Sequence, residues 1–207
     1  LNNHWGVPLT LLRLRPEHRA AVIEIGMSHP GEIAPLAALA APAAAVITTV
    51  AAAHLEFFGS IDAIAREKVA LAEAVPADGT VFANADSEPL VRALAAIGRR
   101  AVTFGLAAAA DVSPLRLDDL GGDGLALEVE GFPAMRLALV GRHQAVNALA
   151  ALAVARAHGL DPAAVARALE AYRPATGRME VIERRGATII VDCYNANPES
   201  TRAALAT

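Results

Sequence analysis

The chain has few aromatic residues and a single cysteine. Aromatic residues make up 4% of its 207 residues, although apolar residues make up 55%, so a core of ordinary size has to be built from Ala, Val, Leu and Ile. Because Cys193 is the only cysteine, no disulfide can form within the chain, which fits a reducing compartment. The formal charge of −4 argues against a nucleic-acid-binding surface.

Neither a signal peptide nor a membrane span is indicated by the sequence. The first residue is Leu and no basic leader precedes an apolar run, so we expect a cytoplasmic protein without membrane insertion. The longest uncharged stretch, residues 33–53, is long enough to imitate a membrane span. Pro35 and Pro42 interrupt it, and many of its residues are weakly apolar alanines. We therefore interpret it as a short helix that ends near Pro42, followed by a buried strand.

The first half of the chain alternates apolar runs with helical patterns. The run at 18–27 is apolar and closed by glycine, which is typical of a strand buried on both faces. Further strands are predicted at 44–50, 79–86 and 100–105, and helices at 31–40, from Ser60 onward, and at 87–98. This repeated strand–helix–strand order predicts an α/β fold, a mostly parallel sheet with flanking helices.

The second half begins with a different pattern. Residues 125–131 and 134–141 alternate apolar and polar side chains around a Gly-Phe-Pro turn, which predicts a half-exposed antiparallel hairpin. Two helices follow, the second with Asp161 as N-cap and Pro162 at its first position. The segment 184–200 is predicted to be an apolar strand that ends in a polar loop, and a helix begins at 201.

Three polar side chains stand at the ends of predicted strands, where ligands of open α/β sheets bind. These are Glu24, His54 and Asp192. For each of them alone, a turn or cap role is the ordinary explanation. Glu24 is less ordinary, because a carboxylate within an apolar strand costs several kcal/mol unless it is paired or coordinates a cation.

Lys68 is unusual because the helical spacing that begins at Ser60 places it in the middle of the apolar face. A buried lysine loses its proton readily, and the neutral amine can capture carbon dioxide as a carbamate. Glu24, His54 and a carbamylated Lys68 would form an oxygen-rich magnesium site. The alternative is that the ammonium group extends to the surface past small alanine neighbours.

Several segments match a known family in order and spacing. One is AHLEFFGSIDAIAREK, which contains both His54 and Lys68. The others are NNHWGVPLTLLRL, IEIGMSHPGEI, FANAD, GRHQAVNALAA, ATGRMEVIE and DCYNANPES. On these segments the chain resembles the Mur ligase family, ATP-dependent amide ligases of peptidoglycan synthesis, over nearly its whole length.

The resemblance implies a role for each matching residue. Glu24 would bind magnesium, His54 would lie near the metal and the phosphates, and Lys68 would carry the carbamate. The implied nucleotide contacts are Asn147 at the adenine, Arg178 at the phosphates and Asp192 at the ribose. The implied substrate-lining residues are Asn2, Asn3, His29, Asn195 and Asn197. Thr49, Gln144 and Cys193 stand where the family usually has Asn, Asn and Ser, and none of these departures removes a charge.

One family feature is absent, because no G-x-x-x-x-G-K-[ST] phosphate loop occurs in the sequence. In the family this loop lies upstream of the position at which this chain begins. We therefore expect an internal piece of a longer enzyme, which would be inactive alone. Residues 1–177 would be the central ATPase domain without its phosphate loop, and residues 178–207 the beginning of a Rossmann-like C-terminal ligase domain.

The resemblance implies a monomeric ligase that uses ATP and Mg²⁺. Its substrates would be UDP-N-acetylmuramoyl-tripeptide and D-alanyl-D-alanine, joined through an acyl phosphate. Two alternatives remain open. The chain could belong to a related ligase that adds another amino acid to UDP-muramoyl substrates or glutamate to folate, or it could be a non-catalytic α/β binding module, which would not require Lys68 on a buried face.

Overall fold

The computed structural model describes residues 2–107 and 109–207, without the side chain of Glu199. The helices are α1 (Gly6–Leu11), α2 (Ile33–Ala40), α3 (Leu55–Phe58), α4 (Ile61–Glu73), α5 (Glu88–Ala96), α6 (His143–Ala157), α7 (Pro162–Ala171) and α8 (Pro198–Leu205). The strands are β1 (Ala44–Ile47), β2 (Thr80–Asn84), β3 (Val102–Phe104), β4 (Pro114–Asp119), β5 (Leu125–Val129), β6 (Met135–Leu137), β7 (Glu180–Arg184) and β8 (Ala187–Val191).

The strands of the described residues form three sheets. β1, β2 and β3 are neighbours in that order in a parallel sheet, with helices in the connections between them. β4, β5 and β6 form an antiparallel sheet in which Leu127 lies opposite both Leu117 and Met135. β7 and β8 form an antiparallel pair with Ile182 opposite Ile189. The predicted α/β class is confirmed, although the antiparallel element has three strands rather than two.

The chain divides into two compact units. The first unit comprises the described residues up to Phe82 together with Ser87–Ala101. Its core is built where α4 packs on α2 and α5, and it buries Leu36, Ile64 and Leu90. The small aromatic content is compatible with this core because alanines such as Ala65 and Ala72 allow the helices to approach closely.

The second unit comprises Ala83–Asp86 and Val102–Thr207. Its core lies where α6 packs on β3 and α7 packs on β6. Leu149 and Leu152 of α6 are fully buried, as are Phe104 and Leu137. Asp161 accepts hydrogen bonds from the N–H groups of Ala163 and Ala164, so its predicted role as the N-cap of α7 is confirmed.

The helix that carries Lys68 begins as its sequence predicts. Ser60 is extended, and its side chain accepts a hydrogen bond from the N–H of Ala63 at 3.2 Å. Asp62 lies in the first turn, where a negative charge is favoured by the helix dipole. The N-cap at Ser60 is therefore confirmed, and it fixes which residues of α4 face the core.

The strand predicted at 18–27 is wrong. Residues 20–27 form no strand, and Val22 is 97% exposed. Within the described part of the chain no strand pairs with this segment, and a run of apolar residues forms a strand only when a neighbour completes its hydrogen bonds. Gly26 donates its N–H to the carbonyl of Asn2 at 2.8 Å. This hydrogen bond attaches the segment to Asn2, close to Glu24.

Candidate functional site

Lys68 lies beside the buried face of α4. Its side chain is half-buried, and Ile64 and Ala72, one turn away on either side, are fully buried. The Nζ atom donates a hydrogen bond to the carbonyl oxygen of Thr49 at 2.7 Å. Burial lowers the pKa of Lys68 below its usual value. The amine is therefore more readily deprotonated than that of a surface lysine, as the chemistry of carbamate formation requires.

The environment of Glu24 differs from the one that the sequence predicts. Glu24 is exposed, so the cost of burying a carboxylate does not apply to it. Its Oε1 accepts a hydrogen bond from Asn2 Nδ2 at 2.8 Å. Asn2 also accepts from the Gly26 N–H, and its side chain packs so closely on Gly26 that a Cβ there would lie 2.7 Å from Asn2 Nδ2. Asn2 thus fixes both the carboxylate and the backbone of this segment.

His54 occupies a constrained backbone position. Its φ of 59° is left-handed, and its carbonyl accepts hydrogen bonds from the N–H groups of Phe57 and Phe58 in α3. The imidazole is on the surface. Left-handed geometry is costly for a residue with a Cβ, so the surrounding turn has to stabilise it.

The donor chemistry of Glu24, His54 and Lys68 suits magnesium in only one covalent state of the lysine. A carboxylate oxygen and an imidazole accept a cation, whereas a lysine ammonium repels it. The three residues therefore fit Mg²⁺ only if Lys68 supplies oxygen as a carbamate. Among the residues that the structure describes, no group of three or more His, Cys, Asp or Glu side chains could hold a metal ion. The metal-binding set stays a prediction.

The turn that carries His29 is held by carboxylates. Glu32 Oε2 accepts hydrogen bonds from the N–H groups of Ser28 at 2.6 Å and His29 at 3.1 Å. These two hydrogen bonds, from Ser28 first, lower the pKa of Glu32. The ring of His29 lies 4.2 Å from that of Phe57, between ring centroids. The backbone of the turn and the imidazole are thus both positioned, which suits a group predicted to line a reaction centre.

Asn3 has a clear structural contact. Its Oδ1 accepts hydrogen bonds from the N–H groups of Trp5 at 3.1 Å and Gly6 at 3.0 Å, at the start of α1. The Asn-Asn pair is therefore engaged with the protein itself, Asn3 at a helix start and Asn2 at Glu24. The predicted contacts of both residues with substrate stay predictions.

In the second unit, one of the predicted nucleotide residues lies on a helix and the other two lie in segments next to strands. Asn147 is exposed on α6 and donates to Gln144 Oε1 at 2.9 Å. Asp192 follows β8 and is half-buried, and it lines a cleft of about 380 Å³ with Asn195 and residues of α8. Arg178 precedes β7 and is exposed. The cleft gives Asp192 a concave surface within this unit.

Arg178 is linked to the loop that contains Asp192. Its guanidinium carbon lies 4.1 Å from the ring centroid of Tyr194. The carbonyl of Gly177 accepts hydrogen bonds from the N–H groups of Cys193 and Tyr194, both at 3.1 Å. The segment before β7 is therefore attached to the segment after β8, which holds the guanidinium near the polar loop. Tyr194 was not among the predicted site residues, although an aromatic side chain close to Asp192 in the sequence was a usable signal.

The asparagines of this loop organise the start of α8. Asn195 Oδ1 accepts from the N–H of Ala196 at 2.9 Å, and Asn197 Oδ1 accepts from the N–H of Ser200 at 2.8 Å. Asn197 therefore acts as an N-cap.

His143, at the start of α6, was also not among the predicted site residues. Burial lowers its pKa, and the nearby carboxylates of Asp192 and Asp119 oppose this effect.

Among the described residues, no helix has both the length and the hydropathy that crossing a membrane requires.

Comparison with known proteins gives consistent matches. The family model described as the Mur ligase middle domain matches residues 1–155. The UDP-N-acetylmuramoyl-tripeptide–D-alanyl-D-alanine ligase of Mycobacterium tuberculosis is 41% identical over 210 residues, which cover 99% of this chain and 41% of that protein. The chain thus spans less than half the length of this curated relative.

Solved structures agree with the sequence matches. A crystal structure of MurF from Acinetobacter baumannii superposes with a TM-score of 0.89 at 32% identity, covering 98% of this chain and 45% of that one. A crystal structure of MurF ligase from Thermotoga maritima in complex with ADP gives a TM-score of 0.86 at 27% identity, covering 100% of this chain and 48% of that one.

Proposed function

Because the chain belongs to the Mur ligase family, we propose that it is the middle part of a longer ligase that joins D-alanyl-D-alanine to UDP-N-acetylmuramoyl-tripeptide. The observation that carries this proposal is the 41% identity, over 99% of the chain, to the M. tuberculosis ligase of that name. Residues 1–177 would be the central domain, and residues 178–207 would begin the C-terminal domain. The same proposal includes a cytoplasmic location, where the nucleotide-linked precursor and ATP are available.

The proposed reaction has two steps. The terminal carboxylate of the tripeptide attacks the γ-phosphorus of ATP, which forms an acyl phosphate and releases ADP. The amine of D-alanyl-D-alanine then attacks the acyl carbon, and phosphate leaves as the amide bond forms. A bound Mg²⁺ supplies charge stabilisation for the phosphates and the developing oxyanion. Nucleotide binding in this chain is supported by the ADP complex of the T. maritima relative.

Each group of residues has a proposed part in this reaction. Glu24, His54 and a carbamylated Lys68 would form the metal-binding set. The half-buried position of Lys68 and its lowered pKa support the carbamate, because only a neutral amine reacts with carbon dioxide. Asn147, Arg178 and Asp192 would bind the nucleotide, and the stacking of Arg178 on Tyr194 keeps the guanidinium in place.

The remaining predicted residues would contact UDP-N-acetylmuramoyl-tripeptide and D-alanyl-D-alanine. Asn2, Asn3 and His29 belong to the first unit, and Asn195 and Asn197 to the second. His29 has the best support, because Glu32 and Phe57 fix its turn and its ring while the side chain stays exposed.

The test is a phosphate-release assay on the full-length protein that contains this chain. We expect release from ATP only when UDP-N-acetylmuramoyl-tripeptide and D-alanyl-D-alanine are both present, with the pentapeptide product confirmed by mass. Release with a shorter UDP-muramoyl peptide and a single amino acid, or with a folate and glutamate, would assign the chain to another ligase of the family. A folded protein that is inactive with every pair would be a binding module, and the proposal would be wrong.

A further inference from the structure

Glu67, the residue before Lys68, holds the start of α2 through two hydrogen bonds. Its Oε2 accepts from the N–H of Gly31 and its Oε1 from the N–H of Ile33, both at 2.9 Å. Ile33 is the first residue of α2, where backbone N–H groups lack partners within the helix, and Gly31 lies in the turn just before the N-cap. One side chain of α4 therefore accepts from the first N–H of α2 and from the turn that precedes it.

Glu32 also stabilises this turn, which comprises residues 28–33. That carboxylate accepts hydrogen bonds from the N–H groups of Ser28 and His29. Together with Glu67, two carboxylates therefore accept hydrogen bonds from four backbone N–H groups of residues 28–33. Glu32 lies within the turn and stabilises it locally. Glu67 is the member of the pair that ties the turn to a different element.

That element is the helix of Lys68. Glu67 and Lys68 are adjacent on α4, and Lys68 is itself fixed by its hydrogen bond to the Thr49 carbonyl. Any shift of α4 along its axis would therefore move the anchor of the His29 turn and the amine of Lys68 together. Both Glu67 and Lys68 are half-buried, so water competes only in part with these contacts.

We propose that Glu67 is a positioning residue of the ligation reaction, which fixes the His29 turn against the helix that carries Lys68. The inference rests on the proposed ligase function. Glu67 touches neither substrate nor phosphate in this role, and it acts through the backbone of Gly31 and Ile33. A displacement of about 1 Å at a reacting centre can cost on the order of 100-fold in rate, so a contact of this kind is measurable.

The variant Glu67→Gln tests the proposal in the full-length protein. Glutamine has the same size, but it offers one acceptor oxygen and places an NH₂ group against the second N–H donor. We expect turnover to fall about 10- to 100-fold, with the KM for ATP changed less than twofold. The matched control is Glu73→Gln, the same change at an exposed position of the same helix, and it should keep wild-type turnover.

Two further measurements separate positioning from general stability. Hydrogen exchange at Gly31 and Ile33 should quicken in Glu67→Gln while exchange in the core of α4 stays at the wild-type rate. In a His29→Ala background, Glu67→Gln should cause little additional loss of turnover, because its effect passes through the His29 turn.

The outcomes are distinguishable from failure of the proposed function. A wild-type protein without ligase activity would overturn the function, whereas an active wild type with equal turnover in Glu67→Gln and Glu73→Gln would overturn only the role of Glu67. The role of Glu67 would also be overturned if Glu67→Gln lowered turnover as much in the His29→Ala background as in wild type. If Glu67→Gln fails to fold, Glu67→Asp is the second variant, because it keeps the charge but has a shorter side chain. Glu67→Asp should show the same loss of turnover with little change in the KM for ATP. Wild-type turnover in Glu67→Asp would contradict the proposal.

Discussion

Lys68 Nζ lies 2.7 Å from the carbonyl oxygen of Thr49 and donates a hydrogen bond to it. Lys68 is the only lysine in the sequence, in which all other basic side chains apart from histidine are arginine. An arginine is always charged, whereas a half-buried lysine can become neutral. The residue type at this position therefore permits a chemistry that arginine would exclude.

Lys68→Ala in the full-length protein should abolish ligation, because it removes the amine that would carry the carbamate. Added short carboxylic acids should restore part of the turnover, since their oxygens can occupy the vacated space. The measurement is product formation with and without acetate or formate. Arg66→Ala, an exposed position on the same helix, is the control. Near-normal turnover of Lys68→Ala without any additive would contradict the carbamate.

Glu24→Gln should lower turnover at least ~100-fold, the loss expected when one charged contact to the reacting centre is removed. Because Glu24 is exposed, the free energy of unfolding should change by less than about 0.5 kcal/mol. Turnover should be measured against magnesium concentration, with Glu17→Gln as the exposed control. Superimposable magnesium curves for Glu24→Gln and wild type would remove Glu24 from the metal-binding set.

Tyr194→Ala should raise the KM for ATP about two- to fivefold, because a cation–π contact at an exposed site contributes about 0.5–1 kcal/mol. Tyr194→Phe keeps the ring under the Arg178 guanidinium and should behave as wild type. Tyr172→Ala removes the only other tyrosine, which is also exposed, and serves as the control. Equal KM values for Tyr194→Ala and Tyr194→Phe would show that the ring does not hold Arg178 for the nucleotide.

Glu32 should stabilise the folded protein at neutral pH, and this contribution should be lost in acid. Hydrogen bonds from Ser28 and His29 lower its pKa in the folded state from the ordinary value of 4.5. Its contribution is therefore fully present above the ordinary value and is lost as the pH falls through the lowered pKa, because the unfolded chain binds the proton first. The difference in free energy of unfolding between wild type and Glu32→Gln should favour wild type at pH 7 and shrink towards pH 3. A difference that is constant with pH would contradict this, and Glu73→Gln provides the baseline.

Leu149→Ala should destabilise the fold by about 2–5 kcal/mol, because Leu149 is fully buried in α6 and truncation leaves a cavity. Leu160→Ala, at an exposed leucine just beyond the same helix, should cost less than about 1 kcal/mol. Urea denaturation of both variants measures the contrast. Equal losses would mean that the packing of α6 on β3 contributes little to stability.

The elements with local signals were predictable from the sequence. Ser60 and Asp161 cap α4 and α7 as expected, and the alternation around the Gly-Phe-Pro turn became β5 and β6, which pair as expected. These features depend on side chains within a few residues of one another. The first of the two helices predicted after the hairpin is likewise present, as α6.

Features that depend on distant partners were not predictable. Residues 18–27 have the composition of a buried strand, but composition does not supply a neighbouring strand, and Val22 is exposed. For the same reason Glu24 was placed in an apolar environment that it does not have. The two hydrogen bonds of Glu67 join positions more than thirty residues apart, and no periodic pattern encodes such a contact.

The pair β7–β8 has a practical consequence for handling the chain. In the described residues it is a sheet of two strands, and Ile182, Ile189 and Ile190 are exposed on it. β8 reads Ala-Thr-Ile-Ile-Val, a short uncharged segment of high β-propensity, and such an edge is a template for addition of a strand from another molecule. Arg184 and Arg185 before it and Asp192 after it act as charged gatekeepers. Conditions that screen these three charges should therefore promote self-association through β8 at high protein concentration.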